Sequence, residues 1–238
     1  MPSFKKEQVG EASVWTLRNT KGNELKVTDV GARLVSMRFR DKNFTNRFLL
    51  KDDAAGAILV DGGNDFAKIA WQAEETLEGL KLSATVNGKS ATVTYSVSND
   101  NEISIKYEAT GIDDISAQVI FSAEALPDAD VRACQKGADW EKFGAEKVFP
   151  VTEPAEVEME LGMFGYDPGC PIDYLDAGLK NAANIYSDAA SIDVIVYATQ
   201  NEIHAAQVEG GYALKTSGSK AADGKISGQT VYMIKTRR

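Results

Sequence analysis

One histidine, two cysteines and six prolines occur among 238 residues. With His204 as the only imidazole, histidine-based zinc sites and triads that need a second histidine are excluded. Cys134 and Cys170 cannot form a disulfide framework; two isolated cysteines fit a reducing cytoplasm, with a single disulfide left open. No apolar run reaches the roughly 18 residues that a membrane span requires. The opening Met1-Pro2-Ser3-Phe4-Lys5-Lys6 has no apolar stretch after it, so no secretory signal is read there. A cytoplasmic protein with no membrane partner is the expectation. Positive charge is also short: 26 Lys and Arg face 35 Asp and Glu, for a net charge of −9. Such a surface repels phosphate backbones, so nucleic acid is not an expected partner.

The remaining composition, 43% hydrophobic and 26% charged, is that of a globular chain long enough to bury a core without metal or disulfide support. Its dominant period is two. Val93, Tyr95 and Val97 alternate with Thr92, Thr94 and Ser96. Ile103, Ile105, Tyr107 and Ala109 alternate with Ser104, Lys106 and Glu108, and Leu80, Leu82, Ala84 and Val86 with Lys81, Ser83 and Thr85. Each segment reads as a strand with one face in a core and one in water. Asn87-Gly88 predicts a hairpin, and Ser98–Asn101 and Lys21-Gly22-Asn23 predict turns. Further strands are expected at Val14–Asn19, Glu24–Val30, Leu34–Phe39, Lys68–Glu75, Ser116–Ala123, Val157–Leu161, Ala183–Ser187, Ile192–Ala198 and Thr230–Thr236. Helix is confined to short turns at Asp173–Asn181 and Trp140–Gly144. No linker, repeat or charge block divides the chain, so residues 1–238 are read as one all-β domain of well over ten strands. The acidic stretch Pro150–Glu160 lacks the spacing of a calcium loop and reads as a solvated edge.

Three stretches resemble the aldose 1-epimerase (galactose mutarotase) family. Trp15–Asn19 followed by Gly22-Asn23-Glu24-Leu25-Lys26-Val27-Thr28-Asp29-Val30-Gly31-Ala32 is similar to that family's first hairpin. Gly62-Gly63-Asn64-Asp65-Phe66-Ala67-Lys68-Ile69-Ala70-Trp71 resembles its paired-glycine turn. Gly165-Tyr166-Asp167, then Asp176–Lys180 and Ala182–Ser187, resembles its Gly-Tyr-Asp-His turn and the strand after it. The resemblance implies a large antiparallel β-sandwich of the galactose mutarotase-like type with a sugar cleft on a concave face. It implies a monosaccharide or sugar-phosphate partner and no cofactor. The chain is shorter than typical members, so trimmed cleft loops are expected.

Mutarotation opens a pyranose ring by taking the anomeric hydroxyl proton while an acid protonates the ring oxygen. By the resemblance, a glutamate is the base, a histidine the acid, and a second histidine and an aspartate help to hold the sugar. Asp61 replaces the histidine before the paired glycines, and Gln118, in Ala117-Gln118-Val119-Ile120-Phe121, replaces the other. Lys215, after Gly210-Gly211-Tyr212-Ala213-Leu214, stands where the glutamate is expected, and Asp167 is the retained aspartate. Asp61 and Lys215 are thus the candidates for an altered catalytic pair. Asp61, Gln118, Asp167, Lys215 and Trp71 are the candidate sugar contacts, since a flat indole can stack on a sugar face.

Each residue also has a structural reading. Asp61 and Asp167 precede turn residues, Gln118 and Lys215 suit a solvated strand face, Trp71 lies in an apolar strand, and His204 sits between Ile203 and Ala205. Three functions follow: a carbohydrate-binding protein whose mutarotase catalysis is lost or altered, an aldose or hexose-phosphate epimerase with a rewired acid/base pair, or a non-catalytic structural or interaction protein. The phosphate variant would call on Arg33, Arg38, Arg40 and Arg47.

Overall fold

The computed structural model describes residues 2–52, 54, 56–60, 65–133, 141–142, 144–151 and 178–236. In chain order its strands are β1 (Ser3–Val9), β2 (Ala12–Arg18), β3 (Glu24–Thr28), β4 (Arg33–Arg40), β5 (Asn46–Phe48), β6 (Gly56–Val60), β7 (Gln72–Glu75), β8 (Leu80–Val86), β9 (Lys89–Val97) and β10 (Glu102–Thr110). They continue as β11 (Ile115–Ser122), β12 (Asp130–Ala133), β13 (Glu141–Lys142), β14 (Lys147–Pro150), β15 (Lys180–Ser187), β16 (Ile192–Ala198), β17 (Glu202–Val208), β18 (Gly211–Ser217), β19 (Ser219–Lys220) and β20 (Ile226–Thr236). No helix occurs among the described residues, and none there is long and apolar enough to cross a membrane.

The alternation seen in the sequence sets which faces are dry. Ala91, Val93, Tyr95 and Val97 of β9 and Ile103, Ile105, Tyr107 and Ala109 of β10 are all buried, while their neighbours are not. Asn87 and Gly88 join β8 to β9 with φ of 51° and 77°, the positive values that a tight hairpin turn demands. Gly31 also has a left-handed φ of 69°, and a Cβ there would stand 2.6 Å from the Ala67 carbonyl oxygen. Its amide donates to Ile69, and the Trp71 amide donates to Asp29. Two of the motif-bearing stretches are therefore stitched together at this point.

Three hydrogen-bonded sheets result, where the resemblance implies two. The first runs β1-β2-β3-β4-β5 and the third β14-β17-β18-β11-β6. The ten-stranded second sheet runs β13-β12-β15-β16-β20-β10-β9-β8-β7, with β19 beside β20. The reason for the difference lies in residues 49–51. The Leu49 amide donates to Met37 of β4, while Ser122 of β11 donates to Leu49 and the Lys51 amide donates to Ile120. This short segment laces the first and third sheets edge to edge without forming a full ladder. The ten-stranded sheet packs across both. Tyr95 donates to the Ala32 carbonyl at 2.7 Å, and Tyr107 donates to the Thr216 carbonyl at 2.8 Å. Burial pushes the Tyr107 hydroxyl up to about 12, against the lowering effect of its Thr216 and Gln200 hydrogen bonds.

Some expectations change. Trp140–Gly144 was read as a helical turn; its described part instead contains β13, which pairs with Arg132 and Ala133 because β12 offers an open edge there. Strand structure within Lys68–Glu75 is confined to β7, since Phe66 and Trp71 fold into the core ahead of it. Val157–Leu161 and most of Asp173–Asn181 lie outside the described residues, as do Cys134 and Cys170.

Asp41 shapes the β4–β5 turn. Its carboxylate accepts the Asn43 and Thr45 amides, each at 2.9 Å, and the Arg47 Nε at 3.1 Å. Burial pushes this carboxyl up, but the Thr45 amide, the Arg47 guanidinium and the Asn43 amide together outweigh that and hold it below the usual carboxylate range. A lowered folded-state value stabilises above the unfolded carboxylate value near ~3.9 and ceases to do so as pH falls through the folded one. Asp41→Ala is expected to lose about 2 kcal/mol at pH 7 in denaturant titration, and the gap from the parent should narrow below about pH 4. Gly31→Ala is expected to cost more than about 2 kcal/mol in the same measurement, because both its φ and the Ala67 carbonyl oppose a Cβ.

Candidate functional site

The third sheet has one face against the core and one turned away from it. On β11, Ala117, Val119 and Phe121 are buried in the core; on β18, Tyr212, Leu214 and Thr216 are; on β17, Ile203 and Ala205 are. Alternation then sends Gln118, Lys215 and His204 to the opposite face. The ladders place these three in one transverse row. Gln118 is the partner of Lys215 across β11 and β18, and Lys215 is the partner of His204 across β18 and β17. The row continues to Ala57 on β6 and Val148 on β14. Direct cross-strand partners have Cβ atoms about 4.5–5.5 Å apart, so Gln118 and His204 flank Lys215 within contact range.

All three polar side chains are half-buried. Among the described residues, neither the Gln118 amide nor the Lys215 ammonium has a hydrogen-bond or ion-pair partner. His204 Nδ1 lies 3.9 Å from Glu146 Oε1, an ion pair only when the imidazole is protonated. Two residues from Gln118 on the same face, Ser116 is 1% exposed, and its Oγ has no partner. Leu59, 36% exposed, is the cross-strand partner of Ser116 and forms one apolar rim; Val148, 44% exposed, forms the other. Of these groups only the Ser116 hydroxyl is fully buried without a partner; the Gln118 and Lys215 heads are not.

Gln118 and Lys215 are thus neighbours. Asp61 and Asp167 lie outside the described residues, as does Trp140; the chain enters Asp61 directly from Val60 at the end of β6. Trp71 is elsewhere. It is 3% exposed, its Nε1 donates to the Phe66 carbonyl at 2.9 Å, and its ring meets Phe66 edge-on at 5.8 Å. It is a core residue with no free face for a sugar, because its apolar setting and its satisfied N–H hold it in place. The arginines stand on the first sheet. Arg38 bonds Glu24 at 2.6 Å and Arg47 bonds Asp41. No group of three or more metal-ligating side chains converges among the described residues.

From sequence, whether His204 faces the site stays open, and Ser116 is not singled out at all. Both become visible only through register: His204 alternates with buried Ile203 and Ala205, which marks its side but not its neighbour. If Gln118 and Lys215 serve a ligand and not the fold, Gln118→Leu and Lys215→Met should leave unfolding free energy within about 0.5 kcal/mol of the parent or raise it. A loss above about 1 kcal/mol in denaturant melts would mark them as structural.

In sequence, no family model and no curated protein matches this chain. Solved structures do match. A GalM/aldose epimerase homologue from C. elegans superposes with a TM-score of 0.66 at 12% identity, covering 100% of each chain. Galactose 1-epimerase from Lactobacillus acidophilus gives 0.60 at 12% identity, covering 100% of this chain and 99% of the other. A putative mutarotase, YeaD, from Salmonella typhimurium gives 0.62 at 10% identity over 98% and 94%. At such identities the likeness is one of architecture, and it is consistent from end to end: the chain has the antiparallel, all-β fold of the galactose mutarotase-like structures.

Proposed function

We propose that this protein binds a monosaccharide on the outer face of its third sheet, and that the proton-transfer pair of the aldose 1-epimerases has been replaced there. The observation that carries this reading is the cross-strand pairing of Gln118 with Lys215. Those are the positions at which the resemblance expects one of the two histidines and the glutamate base, and they are direct neighbours across the ladder. The residues themselves do different chemistry. An amide neither gives up nor recovers a proton near neutrality, and an ammonium has donors but no lone pair. Each lost general acid or base costs about 10²–10⁴-fold. What is left is a set of hydrogen-bond donors between two apolar rims, suited to holding a sugar rather than opening it.

A second reading has one observation in its favour: His204, the only imidazole, stands beside Lys215 on the same face. In that reading His204 and Lys215 form a rewired acid/base pair. The hexose-phosphate variant is disfavoured, since Arg38 and Arg47 are engaged with carboxylates on another sheet.

Two measurements separate these readings. Titration of isotope-labelled protein with galactose and glucose is expected to shift the resonances of Gln118, Lys215 and His204. Polarimetry on freshly dissolved α-anomers is expected to show no acceleration over buffer. Acceleration abolished by Lys215→Ala or His204→Gln would establish the rewired pair instead. Neither shifts nor acceleration with any sugar would leave an interaction protein.

A further inference from the structure

We infer that the ligand of this face is a sugar acid, a pyranose bearing a carboxylate, with Lys215 as its counter-ion; the inference rests on the carbohydrate reading above and narrows it. Lys215 is the central member of the row, flanked by Gln118 and His204, and is half-buried. The chain carries a net charge of −9, so carboxylates are abundant, yet none lies within ion-pair distance of Lys215 among the described residues. Some other cations find acids, as Arg38 does Glu24, Arg47 does Asp41 and Arg132 does Asp130, while Arg33 and Lys106 have no acid partner among the described residues either. An ammonium without an acid partner, set between an amide and an imidazole, is placed to meet an anionic group of a ligand.

The groups around it point the same way. The Gln118 amide adds two N–H donors on the same face of β11, whereas the Ser116 hydroxyl is covered and out of a ligand's reach. Donors therefore outnumber acceptors near Lys215, which suits an acceptor-only carboxylate better than a neutral hydroxyl. On the His204 side, Glu146 faces the imidazole and Glu202 is exposed at the start of β17. A phosphate dianion fits less well. β6, β11, β14, β17 and β18 contain no arginine to clamp it, and one lysine balances one negative charge.

The test is a set of calorimetric or NMR titrations of the full chain with galacturonate, glucuronate, galactose, glucose and glucose 6-phosphate at low and moderate salt. Uronates are expected to bind about tenfold or more tightly than the matching neutral aldoses, with the advantage shrinking as salt rises. Lys215→Gln should abolish that ratio and Lys215→Arg should retain it. Lys106→Gln, on the exposed face of β10, should leave it unchanged. Circular dichroism confirms that each variant is folded. Equal affinity for uronates and aldoses, a ratio that survives Lys215→Gln, or a preference for the sugar phosphate would overturn the inference while leaving carbohydrate binding intact. Absence of binding by every sugar would overturn both.

Discussion

The antiparallel ladder that joins β17, β18 and β11 is the constraint on which the functional reading depends. Side chains in a strand alternate between faces, so a slip of one residue in either pairing would exchange the whole buried set for the outward set. Leu214 and Tyr212 on β18, with Val119 and Phe121 on β11, would then face away from the core, at a cost of roughly 1.5–3 kcal/mol for each side chain exposed. That penalty fixes the register. With the register fixed, Gln118, Lys215 and His204 have no choice but to share a row. Hydrophobic burial on one side of the sheet thus determines the polar geometry on the other.

The connection between layers is of another kind. Two tyrosines of the ten-stranded sheet each place a buried hydroxyl against a carbonyl of the opposing layer, Tyr95 on Ala32 and Tyr107 on Thr216. Gln200 donates to Tyr107 in turn, and Thr216 meets Thr230 through their hydroxyls. A buried hydrogen bond of this type contributes about 0.5–1.5 kcal/mol net, but leaving one partner bare costs more. The contacts at Thr216 hold the third sheet at a defined position over the second, and so keep its outer face in place.

Much of this architecture was legible in the sequence, because alternation and turn chemistry are local. The strands around Val93, Ile105 and Leu82 and the Asn87-Gly88 hairpin follow from residues a few positions apart. β1 was missed because six of its seven residues are exposed, so it has no apolar period; only its pairing with β2 makes it a strand. β16 has the expected bounds Ile192–Ala198 but is buried at every position, so no alternation between a wet and a dry face marks it. At the site, Gln118 and Lys215 were singled out by resemblance, but their contact was not, since it arises from a pairing between distant parts of the chain. His204 was weighed as structural for the same reason: a single residue between two apolar neighbours shows which side it takes, not whom it meets there. Trp71, offered as a stacking ring, could not be placed without knowing that Phe66 accepts its N–H.

The position of β20 has a consequence for biosynthesis. It is the final strand in chain order, yet it lies in the interior of the ten-stranded sheet, hydrogen-bonded to β10 on one side and to β16 on the other. While the polypeptide is being made, both of those strands must wait with unpaired edges until Ile226–Thr236 has left the ribosome. A chain stopped short of Ile226 would therefore present two unpaired edges, and closure of the sheet waits on a segment made well after β10.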